Sequence, residues 1–165
     1  MKSNHLSKIK VPGEGPKNAK IMIIGEAPGR NEEEQRRPFV GIAGKRLDKI
    51  LKKNKLDRKK IYITNVVKFR PPENRKPTEK EIEKSMPELN REIKKIKPKL
   101  IILLGETAEK AFFSEFKFSE VRGKFIKKGK IFFFPVYHPS AARFNGIRKK
   151  LEDDFGRLRL FKKAE

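Results

Sequence analysis

Four short apolar runs, at about 20–24, 60–64, 100–104 and 130–135, set the terms for what this chain can fold into. Each is continuous rather than alternating. A strand with one face in water alternates apolar and polar residues, whereas a strand of a parallel sheet is covered on both faces and reads as an unbroken run. Segments of helical spacing separate the runs. Over about 43–53, Ala43, Leu47, Ile50 and Leu51 fall on one face, and over about 79–96 Ile82, Met86, Leu89, Ile93 and Ile96 recur every three or four residues. The second helix is expected to begin after Thr78, where Glu81 completes a capping box, and to stop before Pro98. Further helices are expected over about 107–113 and 147–162. Strand and helix alternating in this way specify an α/β fold. The segment 114–129 is less regular, and its surroundings Phe112, Phe113, Phe116 and Phe118 read as core.

At 165 residues the chain fits one domain, expected to run over 1–165. A domain of this size buries roughly 70% of the surface its unfolded chain exposes, so it needs no covalent staple. It has no cysteine, which excludes disulfides, thiolate zinc, a cysteine-held iron–sulfur cluster and cysteine nucleophiles. Two histidines, His5 and His138, are too few for a multi-histidine metal centre. Lys and Arg number 43 against 21 Asp and Glu, a formal net charge of +22. Residues 45–60 alone hold nine Lys/Arg and two Asp. Thermophile surfaces are also heavily charged, but they mix both signs; an excess of this size points to a polyanion, hence nucleic acid. The basic N-terminus is followed by no apolar signal segment, and runs such as Ile21–Ile24 and Ile131–Phe134 fall far short of a membrane span. A cytoplasmic monomer with no membrane partner is expected.

Three polar or glycine-rich loops, 25–42, 65–77 and 136–146, follow the first, second and fourth apolar runs. All three therefore leave the carboxyl edge of the sheet, where open α/β sheets bind ligands. The first holds Gly25-Glu26-Ala27-Pro28-Gly29 and Arg37-Pro38-Phe39-Val40-Gly41, which match neither a lysine-type phosphate loop nor a dinucleotide fingerprint. Phe39 lies outside any periodicity; it plugs the loop onto the domain or offers a flat surface to a ligand. The second begins at Asn65, whose amide can cap a turn or read a planar edge with one acceptor and two donors. Its continuation, Lys68 to Arg75, is basic and stiff, with Arg70 and Arg75 as candidate phosphate contacts. The last loop is Tyr137-His138-Pro139-Ser140-Ala141-Ala142-Arg143.

Together these runs resemble the uracil-DNA glycosylase superfamily, most closely its thermophilic, usually iron–sulfur-containing branch. The likeness rests on Gly25–Gly29, Arg37–Gly44, Tyr62–Lys68, Arg70–Arg75 and His138–Ala142, with Leu104, Gly105 and Ala108, and spans roughly residues 11–145 in order. The resemblance implies a three-layer α/β/α fold around a central, mostly parallel four-stranded sheet. It implies an enzyme that flips uracil out of DNA and hydrolyses its bond to deoxyribose, leaving an abasic site, by a route expected to need no cofactor. Phe39 would stack on the base, Asn65 would read its edge, and His138 would stabilise charge on the departing uracil. Glu26, the second catalytic candidate, would line the pocket beside the sugar with Gly25, Ala27, Pro28 and Gly29. Pro139, Ser140, Ala141, Ala142 and Arg143 would push into the duplex and hold phosphates. Flipping needs such a stacking surface and edge-matching groups, and an anionic leaving group needs preorganised donors.

Two features depart from that branch or stay open within it. Phe69 and Ser85 stand where two cluster cysteines are expected, so stapling is expected to fall to packing around Phe69, with Leu6 and Ile9 also able to pack. The first motif offers Glu26 with no aspartate or asparagine beside it, leaving the group that positions water unassigned. A glycosylase for another deaminated base such as hypoxanthine, and an inactive nucleic-acid binder, are the alternatives.

Overall fold

A computed structural model describes residues 4–164, with side chains described through residue 161; the ends of the expected 1–165 domain lie outside this range. Four parallel strands form the sheet: β1 (Ile21–Gly25), β2 (Tyr62–Asn65), β3 (Leu100–Leu104) and β5 (Ile131–Val136). A fifth strand, β4 (Ile126–Lys128), pairs antiparallel with β5, giving the order β2-β1-β3-β5-β4. The expected four-stranded sheet is thus corrected to five. β4 is three residues long, contains Lys127 and Lys128, and is half-exposed to exposed throughout, so it gives no apolar run to read. Short, lysine-bearing strands are a usual way of blunting a sheet edge.

The helices are α1 (Arg30–Gln35), α2 (Ile42–Lys53), α3 (Glu79–Ile96), α4 (Glu106–Phe112), α5 (Phe118–Val121) and α6 (Asn145–Ala164). Thr78 and Glu81 cap α3 reciprocally, as their spacing requires. Alternate strand residues feed two apolar layers. Ile23, Ile63, Ile102 and Phe134 pack with Leu47 and Leu51 of α2 and Leu151 and Phe155 of α6. Met22, Ile24, Ile101 and Phe133 pack on the other face with Leu89 and Ile96 of α3 and Ala108 of α4. This is the three-layer α/β/α arrangement. Of the four phenylalanines read as core, Phe113 is buried, Phe112 packs against that second layer, Phe118 meets Tyr137 edge-on, and Phe116 is exposed. No helix among the described residues is long and apolar enough to cross a membrane.

Because β1, β2, β3 and β5 run parallel, their carboxyl ends share one edge. The loops after β1, β2 and β5 all leave from it, and the crevice beside β1, where the chain changes winding direction, is a topological switch point.

Candidate active site

The register of β1 against β2 places Gly25 beside Asn65 at that edge. The approach is so close that a Cβ on Gly25 would sit 2.5 Å from Asn65 Oδ1 and 2.5 Å from Phe39 Cζ. Asn65 is 4% exposed, and among the described residues its side-chain amide makes no hydrogen bond, so it caps no turn. Its main-chain carbonyl is held instead. Lys68 Nζ donates to Asn65 O and, at 2.6 Å, to Thr64 Oγ1, and it pairs with Glu92, which also accepts from the Tyr62 hydroxyl at 2.8 Å. Burial lowers the Lys68 pKa, opposed by Glu92.

Phe39 adopts a left-handed backbone conformation, φ 53°, which costs a non-glycine residue about 1–3 kcal/mol unless its surroundings hold it. They do. Glu32 Oε2 accepts from Val40 N at 2.9 Å and Gly41 N at 2.7 Å, while its Oε1 accepts from Gly29 N at 3.1 Å. On the other side α2 must come in close: a Cβ on Gly44 would lie 2.1 Å from Phe39 O. Phe39 both packs into the domain and faces a cleft. At 5% exposure it belongs to the core layer under α2, yet its ring also lines a cleft and lies 5.7 Å from the His138 ring.

His138 opens the turn Pro139–Arg143. Its Nδ1 accepts from Ser140 N at 3.1 Å and lies 2.9 Å from Ser140 Oγ. With Nδ1 accepting, the proton of the neutral ring belongs on Nε2. Burial pushes the pKa down to about 4, against the opposing field of Glu32, so the ring is a neutral donor at ordinary pH. Arg46 NH1 donates to Ser140 O at 3.2 Å, and Arg148 Nε donates to Ala142 O at 3.1 Å, fastening the turn to α2 and α6.

Ala27, Glu32, Phe39, Ala43, Gly44, Asn65 and His138 line one cleft of about 50 Å³, room for one or two waters at about 30 Å³ each. A planar base would have to widen it on entry. A larger cleft, about 750 Å³, shares none of these residues and is lined by paired charges including Glu14, Asp48 and Arg58. Its size is not matched by convergent, unpaired polar groups, so the small cleft is the better candidate.

Other expected site residues lie elsewhere or point elsewhere. Glu26 does not line this cleft; Thr107 Oγ1 of α4 donates to its Oε2 at 2.6 Å. Pro28 is buried and Gly29 begins α1. Arg75 is not a free phosphate contact. Its guanidinium forms a two-pronged pair with Glu81, at 2.8 and 3.2 Å, and also donates to Asn4 O; that pair holds the Glu81 carboxyl down to about 2. Arg70 turns to Asn74 Oδ1 at 2.8 Å. Pro139 and Ala142 are buried and cannot enter a duplex as they stand. Ser140 and Arg143 remain outward with Ala141 half-buried, and Arg143 lies over the ring of exposed Phe144, 4.9 Å from its centroid.

Glu32, Thr107, Arg46 and Arg148 were missed by the sequence reading. Glu32 sits among Glu33 and Glu34, and only its place three residues after Gly29, the third position of α1, distinguishes it.

The residues present do not fit an iron–sulfur cluster. Ser85 Oγ donates to Glu81 O within its own helix at 2.7 Å, and no metal-binding group of His, Cys, Asp or Glu occurs among the described residues. Nor does Phe69 fill the space by burial; it is half-exposed and absent from both core layers. The N-terminal segment is stapled by backbone bonds, Ser7 N to Arg70 O at 2.9 Å and Val11 N to Lys68 O at 2.7 Å, around a Lys10–Phe69 bridge, and by the Lys10–Glu88 ion pair. Leu6 packs on the core, but Ile9 is 38% exposed.

Residues 12–157 match the Uracil DNA glycosylase superfamily. The chain is 48% identical over 160 residues to a type-4 uracil-DNA glycosylase of Sulfurisphaera tokodaii, covering 90% of this chain and 73% of that one. It is 46% identical to a type-4 uracil-DNA glycosylase of Saccharolobus solfataricus, covering 90% and 74%. A type-4 uracil-DNA glycosylase of Thermotoga maritima is 38% identical over 168 residues, covering 98% and 88%. Matching the family over most of its length and sharing 38–48% identity with these relatives, the chain belongs to the uracil DNA glycosylase superfamily.

Proposed function

We propose that this protein is a monofunctional uracil-DNA glycosylase acting in base excision repair. The observation that carries the reading is the meeting of Phe39, Asn65 and the Nε2–H face of a neutral His138 at one cleft. A uracil flipped from the duplex stacks on Phe39, and the unpaired Asn65 amide reads its edge. As the bond between uracil N1 and deoxyribose C1′ breaks, its electron pair stays with uracil and charge gathers on O2. His138 Nε2–H donates to that oxygen, an interaction stronger in the transition state than in the ground state. Water adds to C1′, and its released proton neutralises the uracil anion by way of solvent. The cation excess supplies phosphate attraction, with Ser140 and Arg143 beside the strand. Glu26, held by Thr107 at the loop's entrance, borders the sugar rather than the base.

Strand cleavage by a Schiff base needs a lysine with a free amine at the sugar. Lys68 has a lowered pKa, but its ammonium is engaged by Glu92, Thr64 and Asn65 beneath β2. The protein acts as a monomer on this reading, since one chain supplies every group at the cleft. A labelled uracil-containing oligonucleotide, split before alkali treatment, tests the proposal: cleavage is expected only after alkali. Cleavage without alkali overturns the monofunctional reading, and none after alkali overturns the activity.

A further inference from the structure

Glu32 secures the amides that follow Phe39, but the carbonyls before and at Phe39 are secured from another quarter. Arg58 opens the short turn leading into β2, within the wall of the large cleft and on the far side of the loop from the base site. Its NH2 donates to Pro38 O at 2.8 Å and its NH1 to Phe39 O at 2.8 Å. The same NH1 donates to Asp48 Oδ1 of α2 at 2.6 Å, and Glu14 Oε2 stands 3.9 Å from NH2. We propose that Arg58 is a positioning residue for the stacking ring, its guanidinium fork locking the left-handed bend at Phe39 by bridging two successive carbonyls while Asp48 fixes the fork.

The geometry explains why an arginine is needed. A helical bend of either hand points successive carbonyls the same way, whereas extended backbone turns them apart. A planar fork with two outward N–H edges can therefore report and hold the bend, and a lysine ammonium, a point charge, cannot span both oxygens and the carboxylate in one fixed plane. Without the fork, two carbonyls at a strained residue lose their donors together, and the backbone is free to relax toward negative φ and swing the ring off the cleft. Arg58 touches neither the cleft nor the outward face of the His138 turn, so its effect on rate would pass through Phe39. The inference rests on the proposed stacking role of Phe39.

The test compares Arg58→Ala and Arg58→Lys with the wild type in three measurements: single-turnover uracil release normalised to folded fraction, affinity for uracil-free duplex, and amide hydrogen exchange over residues 39–41. Arg58→Ala is expected to slow release on the order of 10- to 100-fold, the scale of a small misplacement of a group at a reaction centre. Duplex affinity should stay within about twofold and exchange should speed about tenfold or more, reflecting local opening. Added guanidinium ion should restore part of the rate where sodium at equal ionic strength does not. Arg58→Lys should fall between the two, and it decides the question if Arg58→Ala does not fold. Wild-type release and wild-type exchange in a folded variant overturn the clamp, as does a rate loss that guanidinium leaves untouched and that merely tracks lost duplex affinity. If the wild type itself releases no uracil, the glycosylase reading fails, and the exchange comparison still decides whether Arg58 holds the bend.

Discussion

Asn65 ends the outer strand β2, registered against Gly25 of β1, with a buried ammonium on its carbonyl. His138 opens a five-residue turn; its ring nitrogen is oriented by Ser140, and the carbonyls of the turn are tied down by Arg46 and Arg148. The first support is made of sheet register and a desolvated ion pair, the second of single hydrogen bonds within a loop. Recognition of a base edge needs atoms fixed to fractions of an ångström, which a sheet provides. A group that serves the reaction while its neighbours meet the DNA backbone has to stand on a loop at the rim of the cleft, where single hydrogen bonds hold it. Stability and chemistry should therefore separate between the two.

The largest effect tests the first support. Lys68→Met keeps the stem but leaves Glu92 without its cation, and removing one partner of a buried pair costs about 3–5 kcal/mol; denaturant unfolding should show a loss of that order. A loss within experimental error would mean that Glu92 finds solvent and that the pair under Asn65 adds little. Next is His138→Ala. It should leave unfolding nearly unchanged and lower single-turnover release by about 10²–10³, the effect of losing one transition-state donor, with duplex affinity little altered. If unfolding and rate fell together, the turn would be structural and the contrast with Asn65 would collapse.

The pH dependence sharpens the same point. With the folded His138 value at about 4, below the ordinary 6.5, the ring stays neutral through the range in which free histidines titrate. Release should be independent of His138 protonation between about pH 5 and 8 and fall only toward pH 4. Below about 6.5 the unfolded chain binds a proton that the folded one refuses, so the stability held by neutral His138 is full above 6.5 and declines as pH falls through about 4. An activity midpoint near 6.5 would show an ordinary, solvated histidine.

Asn65→Asp should differ in kind. It removes the amide donors and adds a charge repelled by a developing uracil anion, so release should drop by about tenfold or more while unfolding changes little. Assaying uracil and cytosine substrates side by side shows whether the edge is read here; an unchanged uracil rate would remove Asn65 from the site. The smallest effect lies outside the cleft. Arg143→Ala should reduce the slope of log affinity against log salt by about 1, as for a single phosphate contact. Arg75→Ala should leave that slope unchanged, because Glu81 already occupies the guanidinium.

The strands, the α3 cap and the placing of three loops at one edge were legible because each depends on local pattern: unbroken apolar runs, helical spacing and Thr78 followed by Glu81. Phe39, Asn65 and His138 could be picked out because their types are unusual for their positions. What stayed hidden depends on partners distant in sequence. Nothing in a chain so rich in cations separates Arg75, bound to Glu81, from Arg143, turned to solvent, or marks Arg46 and Arg58 as donors to loop carbonyls. Glu26 drew attention by its motif, yet its carboxylate goes to Thr107, eighty-one positions away. Phe69 misled because an aromatic residue suggests filling, whereas its backbone does the joining.

The bare Cα of Gly25 has a practical corollary for anyone redesigning this protein. A single methyl there would intrude on Asn65 and Phe39 together, so the proposed stacking surface and the proposed edge reader are welded into one unit that cannot be re-spaced from the strand side. Room for a bulkier base has to be cut from the opposite wall, at Ala27 or Ala43, where little remains to remove. On the proposed reading, the size of base that enters is therefore set by how far the loops can part.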